Sequence, residues 1–185
     1  MDCFVIVCLG IFLLITLYID LFKYFIGEQF YEGLKVVPIL LLANLCLGVY
    51  YNLSIWYKLS DQTNKGAMIS LIGAAITIGL NIWWIPVFGY VGSAWATFVC
   101  YFSMMLICYC MGMKYYPIPY NGKRLLRFAG MALSLFFAGW YYRNYYLGGN
   151  HIINFIINSA LFMFFVVAVY LFVKKDKMLT SLTPK

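Results

Sequence analysis

The sequence predicts an all-α, polytopic membrane protein with about six transmembrane helices. Of the 185 residues, 65% are hydrophobic and 10% are charged, whereas soluble chains carry about 25% charged residues. The runs 36–57 and 151–173 contain no Asp, Glu, Lys or Arg, and each is long enough for a helix that crosses a bilayer. Backbone polar groups in lipid must be satisfied within the segment, so these runs are predicted to be α-helical.

The first two predicted spans are 3–19 and 36–57. The chain starts directly in an apolar run without the basic region and small-residue cleavage site of a signal peptide, so the first span is expected to be retained. Pro38 lies in the first turn of the second span, where its missing N–H costs little. The hydrophilic segment 58–66 follows and is predicted to be a solvated loop.

The next two spans are predicted to form a tight helical hairpin. No charged residue occurs from 67 to 113, which is too long for one crossing at about 1.5 Å per residue. Pro86 disfavours a helical conformation in the residue before it, and two glycines in the segment 86–92 allow a reversal. The predicted spans are 67–85 and 92–111.

Small residues four positions apart occur in both arms of this hairpin. Ala75 pairs with Gly79, and Ser93 pairs with Thr97. Small side chains let helix backbones approach closely in lipid. Both pairs are therefore predicted to be packing surfaces.

A basic, proline-containing connector at 114–124 leads to the last two predicted spans. In the fifth span Arg127 has to reach back to the interface, and the sixth span ends in a lysine-rich segment. The predicted organisation is a transmembrane helical domain, 1–175, with spans 3–19, 36–57, 67–85, 92–111, 125–142 and 151–173, and a cytoplasmic tail, 176–185.

The distribution of Lys and Arg predicts that both termini are cytoplasmic, because cytoplasmic loops carry the excess of these residues. With six spans, only Lys23, Lys35 and Arg143 fall on the outer side. The formal net charge of +7 is thus explained by topology and by contact with membrane lipid, and it does not indicate nucleic-acid binding. The N-terminal side carries the other basic residues: Lys58, Lys65, Lys114, Lys123, Arg124, Arg127, Lys174, Lys175, Lys177 and Lys185.

No catalytic, metal or cofactor site is predicted. No Asp, Glu, Lys, Arg or His lies deep within a clear span, and His151, at a helix end, has no Ser, Cys or acid partner at motif spacing. The six cysteines show neither a disulfide framework nor metal-ligand spacing, so they are interpreted as packing or lipid-facing residues. They are Cys3, Cys8, Cys46, Cys100, Cys108 and Cys110.

Asparagines inside the spans are weak candidates for substrate binding. Asn44, Asn52 and Asn81 could line a hydrated cavity, but hydrogen bonding between helices is the first interpretation. The same interpretation applies to Asn154 and Asn158, which lie one turn apart and hence on one face.

Aromatic residues at the end of the second span are the other weak candidates. Tyr51 and Trp56, with Tyr50 and Tyr57, are interpreted first as an interfacial belt and second as a surface on which sugars stack.

Three segments resemble a known family. They are 30–40, which fits Y-x-G-x-x-V-x-P-I-L, then 58–66, and then 80–97, which fits L-N-x-x-x-I-P-x-F-G-x-x-G-A-A-x-A-T except for Ser93. They are similar to the C-terminal part of polysaccharide biosynthesis membrane proteins, the O-antigen and capsule flippases of the multidrug, oligosaccharidyl-lipid and polysaccharide exporter superfamily. The resemblance covers about 10–115, and the last two spans match by topology alone.

The resemblance implies half of a two-lobed exporter fold of about twelve to fourteen helices in the bacterial cytoplasmic membrane. It implies that undecaprenyl-linked oligosaccharide is moved by alternating access for O-antigen, capsule or exopolysaccharide export. The pyrophosphate cavity is expected in a missing N-terminal lobe, in the same or a separate chain. We therefore expect this chain to be a fragment or the product of a split gene.

Two alternatives remain open. One is a membrane-embedded acyltransferase or glycosyltransferase of surface-polysaccharide synthesis, for which Asp20, Glu28 and Glu32 are the candidate acids. The other is a small partner subunit that completes a separate N-lobe. The first expectation is a transporter segment and not an enzyme.

Overall fold

A computed structural model describes residues 2–22, 26–115, 122–145 and 151–182, and every regular element in these ranges is helical. The prediction of an all-α fold is thereby confirmed. The elements are α1 (Asp2–Leu17), α2 (Ile19–Phe22), a 3-10 helix (Glu28–Val36), α3 (Val37–Leu53), α4 (Ile55–Leu59), α5 (Thr63–Tyr115), α6 (Gly122–Tyr145) and α7 (His151–Leu182).

Three stretches of helix in the described ranges are long and apolar enough to cross a membrane. They are Phe30–Leu59, Thr63–Lys114 and Asn154–Phe172, and Cys3–Leu17 is a shorter apolar helix. By their length and composition, these helices identify the chain as a membrane protein. The fifth predicted span lies in α6, which is not among the three, so the six-span arrangement stays a prediction.

The chain divides into two compact units. The first, called here the hairpin unit, is Gln29–Tyr120, and the second, called the terminal unit, joins Asp2–Glu28 to Asn121–Lys185.

In the hairpin unit, α5 reverses at Gly89. This residue has φ 59° and ψ −140°, a conformation that a side chain strongly disfavours. The two arms are in contact, since the Cys100 thiol donates to the Gly73 carbonyl oxygen at 3.2 Å. A Cβ added to Gly92 would stand 2.6 Å from the Trp84 carbonyl oxygen, so the arms approach closely beside the turn. α5 is thus a helical hairpin.

Pro86 does not end the first arm, which corrects the expectation from sequence. Pro86 lies inside the helix, and the non-helical residue is Gly89. A proline removes one backbone donor and can be accommodated in a helix with a local kink. Only the glycine conformation turns the chain back.

The prediction that Ala75 and Gly79 pack against another helix is wrong for this structure. Both residues are exposed, and nothing lies within 4 Å of a Cβ added to Gly79. Close approach occurs instead at Gly66 and Gly112, whose added Cβ atoms would stand 2.7 Å from the Tyr57 ring and 3.0 Å from the Trp56 ring. The core of the hairpin unit consists of Tyr50, Leu53, Trp56, Tyr57, Ile69, Cys100, Met104 and Cys108.

In the terminal unit, α1 packs with α6 and α7. The rings of Phe12 and Phe136 are 5.5 Å apart, and a Cβ added to Gly139 would stand 2.6 Å from Leu17 Cδ2. The close contact at Gly139 brings the backbone of α6 against the end of α1. The buried side chains of α1 recur with helical periodicity; they are Val5, Leu9, Phe12, Leu13, Thr16 and Leu17.

Candidate functional site

A polar junction in the terminal unit lies where α1 ends. The last carbonyl groups of a helix have no partner within the helix. The Leu17 carbonyl oxygen accepts a hydrogen bond of 2.7 Å from Nδ2 of Asn158 in α7. The Tyr18 hydroxyl lies 2.7 Å from Oγ of Ser159, in the next position of α7. Hydrogen bonding between helices is therefore confirmed for Asn158.

A small cavity adjoins this junction. Its volume is about 10 Å³, close to the least that holds a single water molecule. Oxygen atoms are available from Thr16, from the Leu17 backbone and from the Asn158 amide, whereas a sugar is far too large to enter. The lining residues are Thr16, Leu17, Phe136, Gly139, Trp140 and Asn158.

Asn44 and Asn52 do not bridge helices in the described structure. Nδ2 of Asn44 donates to Leu40 O at 2.8 Å, and Nδ2 of Asn52 donates to Gly48 O at 3.0 Å, each within its own helix. An amide can satisfy itself one turn back along the same helix. The interpretation of these two residues as interhelical links is therefore wrong.

Asn81 lies in the first arm of α5 and is half-buried. Its Oδ1 atom is buried and accepts no hydrogen bond from the part of the chain that the structure describes. A buried amide oxygen of this kind has a desolvation cost. Among the candidate substrate-binding residues, Asn81 is thus the one with a buried acceptor atom that lacks a donor in the described part of the chain.

Three of the four aromatic residues at the end of the second span point into the protein. Tyr50, Trp56 and Tyr57 are buried, and Tyr51 is 59% exposed. The Tyr50 and Tyr57 hydroxyls are 3.3 Å apart, and Lys65 Nζ lies 5.8 Å from the centre of the Trp56 ring, within range of a cation–π contact. The belt interpretation is wrong for the buried three, and Trp56 presents no ring face to a sugar in this conformation.

The candidate acids lie in α2 and in the 3-10 helix. Glu28 and Glu32 are exposed on the 3-10 helix, Asp20 is half-buried in α2, and the Glu32 carbonyl oxygen accepts from the Tyr90 hydroxyl at 3.4 Å. No group of three His, Cys, Asp or Glu residues that could hold a metal occurs among the described residues. The side chain of His151 lies outside the described residues.

The six cysteines, all within the described ranges, are free. Cys46, Cys100 and Cys108 are buried, whereas Cys3 and Cys110 are exposed. Sequence reasoning did not find the role of Gly139 or of Thr16. The residues that line a small cavity come from separate parts of the chain, so they produce no periodic pattern in the sequence.

The fold and the long apolar helices define the class as helical membrane proteins. No family model matches the chain, and no curated protein and no solved structure shows significant similarity to it.

Proposed function

We propose that this chain is a segment of a flippase that moves lipid-linked oligosaccharides for O-antigen, capsule or exopolysaccharide export. It acts in the bacterial cytoplasmic membrane with six spans and both termini in the cytoplasm. The observation that carries the proposal is the hairpin in α5. The segment 80–97, which resembles the flippase motif, folds back on itself at the Gly89 of that motif.

The two glycines of the motif are required for different structural reasons. Gly89 adopts a positive φ, and Gly92 brings its backbone against the carbonyl of Trp84. Both positions exclude a side chain for reasons of geometry. The motif is thus a set of requirements for a closed helical hairpin, and this supports a shared architecture with the family it resembles.

Charge in the hairpin unit supports the proposed orientation. Lys58 and Lys114 are exposed at the open end of the hairpin, and Lys65 lies over Trp56 at the same end. The opposite end exposes Trp83 and Phe88, with exposed fractions of 78% and 62%. Lysines favour the cytoplasmic side of a membrane, so the turn at Gly89 faces outward.

The test is deletion of the gene in its host, followed by analysis of the lipid-linked oligosaccharide. A flippase defect leaves completed oligosaccharide on undecaprenyl pyrophosphate in the cytoplasmic leaflet and removes the surface polymer. A transferase defect instead leaves an oligosaccharide that lacks a sugar or an acyl group, and this outcome would overturn the proposal in favour of the enzyme.

Two single substitutions, introduced into the natural gene, complete the test. Gly92→Leu places a side chain against the Trp84 backbone, and Gly79→Leu adds one where nothing lies within 4 Å. We expect export to be lost in the first and retained in the second. Co-purification can recover a second chain of six to eight spans. If export is restored only when that second chain is also present, the protein is a partner subunit.

A further inference from the structure

Sulfur-containing side chains recur at every fourth position along part of the second arm of α5. Cys100, Met104 and Cys108 therefore share one helix face, and all three are buried in the core of the hairpin unit. Thiolate and thioether sulfurs are the ligands that soft metal ions prefer in proteins. Positions 67–113 contain no His, Asp or Glu, so the side-chain donors on this face are soft ones.

The Cys100 and Met104 sulfur atoms meet at one point on the first arm. They are 3.8 Å apart. A Cβ added to Gly73 would stand 3.4 Å from Cys100 Sγ and 2.5 Å from Met104 Sδ. The two sulfurs thus occupy the space that a side chain at Gly73 would fill, and the absence of that side chain lets them converge between the arms.

The distance between the two sulfurs suits a shared metal ion. With bonds of about 2.3 Å, the length of a zinc–thiolate bond, an ion bound to two atoms 3.8 Å apart would have a sulfur–metal–sulfur angle of about 110°. Cys108 cannot bind the same ion as Cys100, because eight residues span about 12 Å of helix. The pair of Cys100 and Met104 is therefore the unit that could hold an ion here.

We propose that Cys100 and Met104 bind one copper(I) ion between the arms of the hairpin. The S–H bond of Cys100 breaks, a bond forms between Sγ and copper, the proton passes to solvent, and copper stays in the +1 state. The charges of thiolate and ion cancel, so the product can remain in an apolar core. A divalent ion would leave a net positive charge in the core, and zinc usually takes four ligands.

Bound copper(I) would join two residues of the second arm against the first arm. A ligand that binds only the folded state raises the unfolding temperature, so copper(I) should stabilise the chain. This inference concerns metal binding alone and does not depend on the proposed export function.

The binding test uses the purified full chain in detergent, without oxygen and with a reductant, in competition with the coloured copper(I) chelator bicinchoninate. We expect Cys100→Ser to abolish the tightest site. Met104→Leu nearly conserves volume and should weaken the site at least about tenfold. An excess of zinc should not displace the ion, and displacement by zinc would overturn the assignment to a monovalent ion.

Two other cysteines provide matched controls. Cys46 and Cys108 are buried free thiols, and Cys46 lies on α3, which contains no methionine. Cys46→Ser and Cys108→Ser should both retain the tightest site. With helical content unchanged in every variant, retention of the site in Cys100→Ser, or its loss in either control, would overturn the proposal.

Gly73→Ala tests the site without removal of a ligand. The added methyl group would displace Met104 Sδ and should therefore weaken copper(I) binding while the chain still folds. Undiminished binding in this variant would contradict the convergence of the two sulfurs at Gly73.

Methyl NMR provides a readout that does not depend on the chelator. Silver(I) replaces copper(I) as a soft monovalent ion that is not readily oxidised, and the methionine methyl groups carry the label. The Met104 signal, identified by its absence in Met104→Leu, should shift when silver(I) is added to the native chain and stay unchanged in Cys100→Ser. A Met104 signal that does not respond in the native chain would refute the site.

Discussion

The amide Nδ2 of Asn158 donates a hydrogen bond of 2.7 Å to the backbone carbonyl of Leu17, although the two residues are 141 positions apart in the chain. This bond satisfies a carbonyl at the end of α1 that has no partner within its own helix. It joins the first and the last helix of the terminal unit.

Asn158→Leu should destabilise the terminal unit. Hydrogen bonds between membrane helices contribute about 1 kcal/mol each, and the substitution also leaves the Leu17 carbonyl without its donor. The free energy of unfolding in mixed micelles measures the loss. Asn154→Leu, one turn earlier on α7, is the control and should cost less; equal costs would contradict the role of the bond.

Gly89→Ala should destabilise the hairpin. Gly89 has φ 59° and ψ −140°, a backbone region that is essentially restricted to glycine, and holding a residue with a Cβ there costs of order 1–3 kcal/mol. Gly79→Ala is the matched control, because Gly79 is helical with open space around it. It should be neutral or slightly stabilising. Thermal unfolding of the two variants checks the order, and a reversed order would refute the assigned turn.

Gly92→Ala and Gly73→Ala should differ in cost, although both would place a methyl group too close to a neighbour. The Gly92 methyl would meet the Trp84 backbone at 2.6 Å, and the Gly73 methyl would meet Met104 Sδ at 2.5 Å. A methionine side chain can move aside, whereas a helix backbone cannot. We expect about 1–3 kcal/mol for Gly92→Ala and a smaller loss for Gly73→Ala, measured by unfolding in parallel.

Trp56→Ala and Tyr51→Ala should separate packing from surface roles. Trp56 is 1% exposed and Tyr51 is 59% exposed. Removal of a buried tryptophan costs about 3–5 kcal/mol, so Trp56→Ala should greatly lower the unfolding temperature. Tyr51→Ala should leave it nearly unchanged, and a loss of export in this variant without a loss of stability would mark Tyr51 as a contact for substrate.

Cysteine labelling should place the two ends of the hairpin on opposite sides of the membrane. In a background without the six native cysteines, Asp61→Cys should react with an impermeant thiol reagent only after the inner side is opened. Val87→Cys, near the exposed turn, should react in intact spheroplasts. Labelling of both from the same side would refute the proposed orientation.

The hairpin was well predicted from sequence because the signals are local. A charge-free stretch too long for one helix, with glycines near its middle, leaves few ways to cross a bilayer. The position of the turn within the segment 86–92 was not decided by that pattern. Pro86 stays helical, and Gly89 takes the one backbone conformation that reverses the chain.

The candidate residues show where prediction from local pattern fails. Tyr51 and Trp56 have the same aromatic character and lie five positions apart, yet one faces outward and the other lies beneath the backbone of Gly112. Asn52 bonds within its own helix and Asn158 bonds across helices. The residue type predicts that a buried amide needs a hydrogen-bond partner, but only the tertiary structure determines which group that partner is.

By itself, the sequence determined the class of this protein and its helical elements, because hydrophobic length and the positions of charged, proline and glycine residues act through the bilayer and the local backbone. Only the tertiary structure decided which helix faces pack, that Gly139 leaves a cavity beside Leu17, and that Asn158 reaches the end of α1. These relationships join residues far apart in the chain, and close packing at such contacts depends on the shapes of both partners at once.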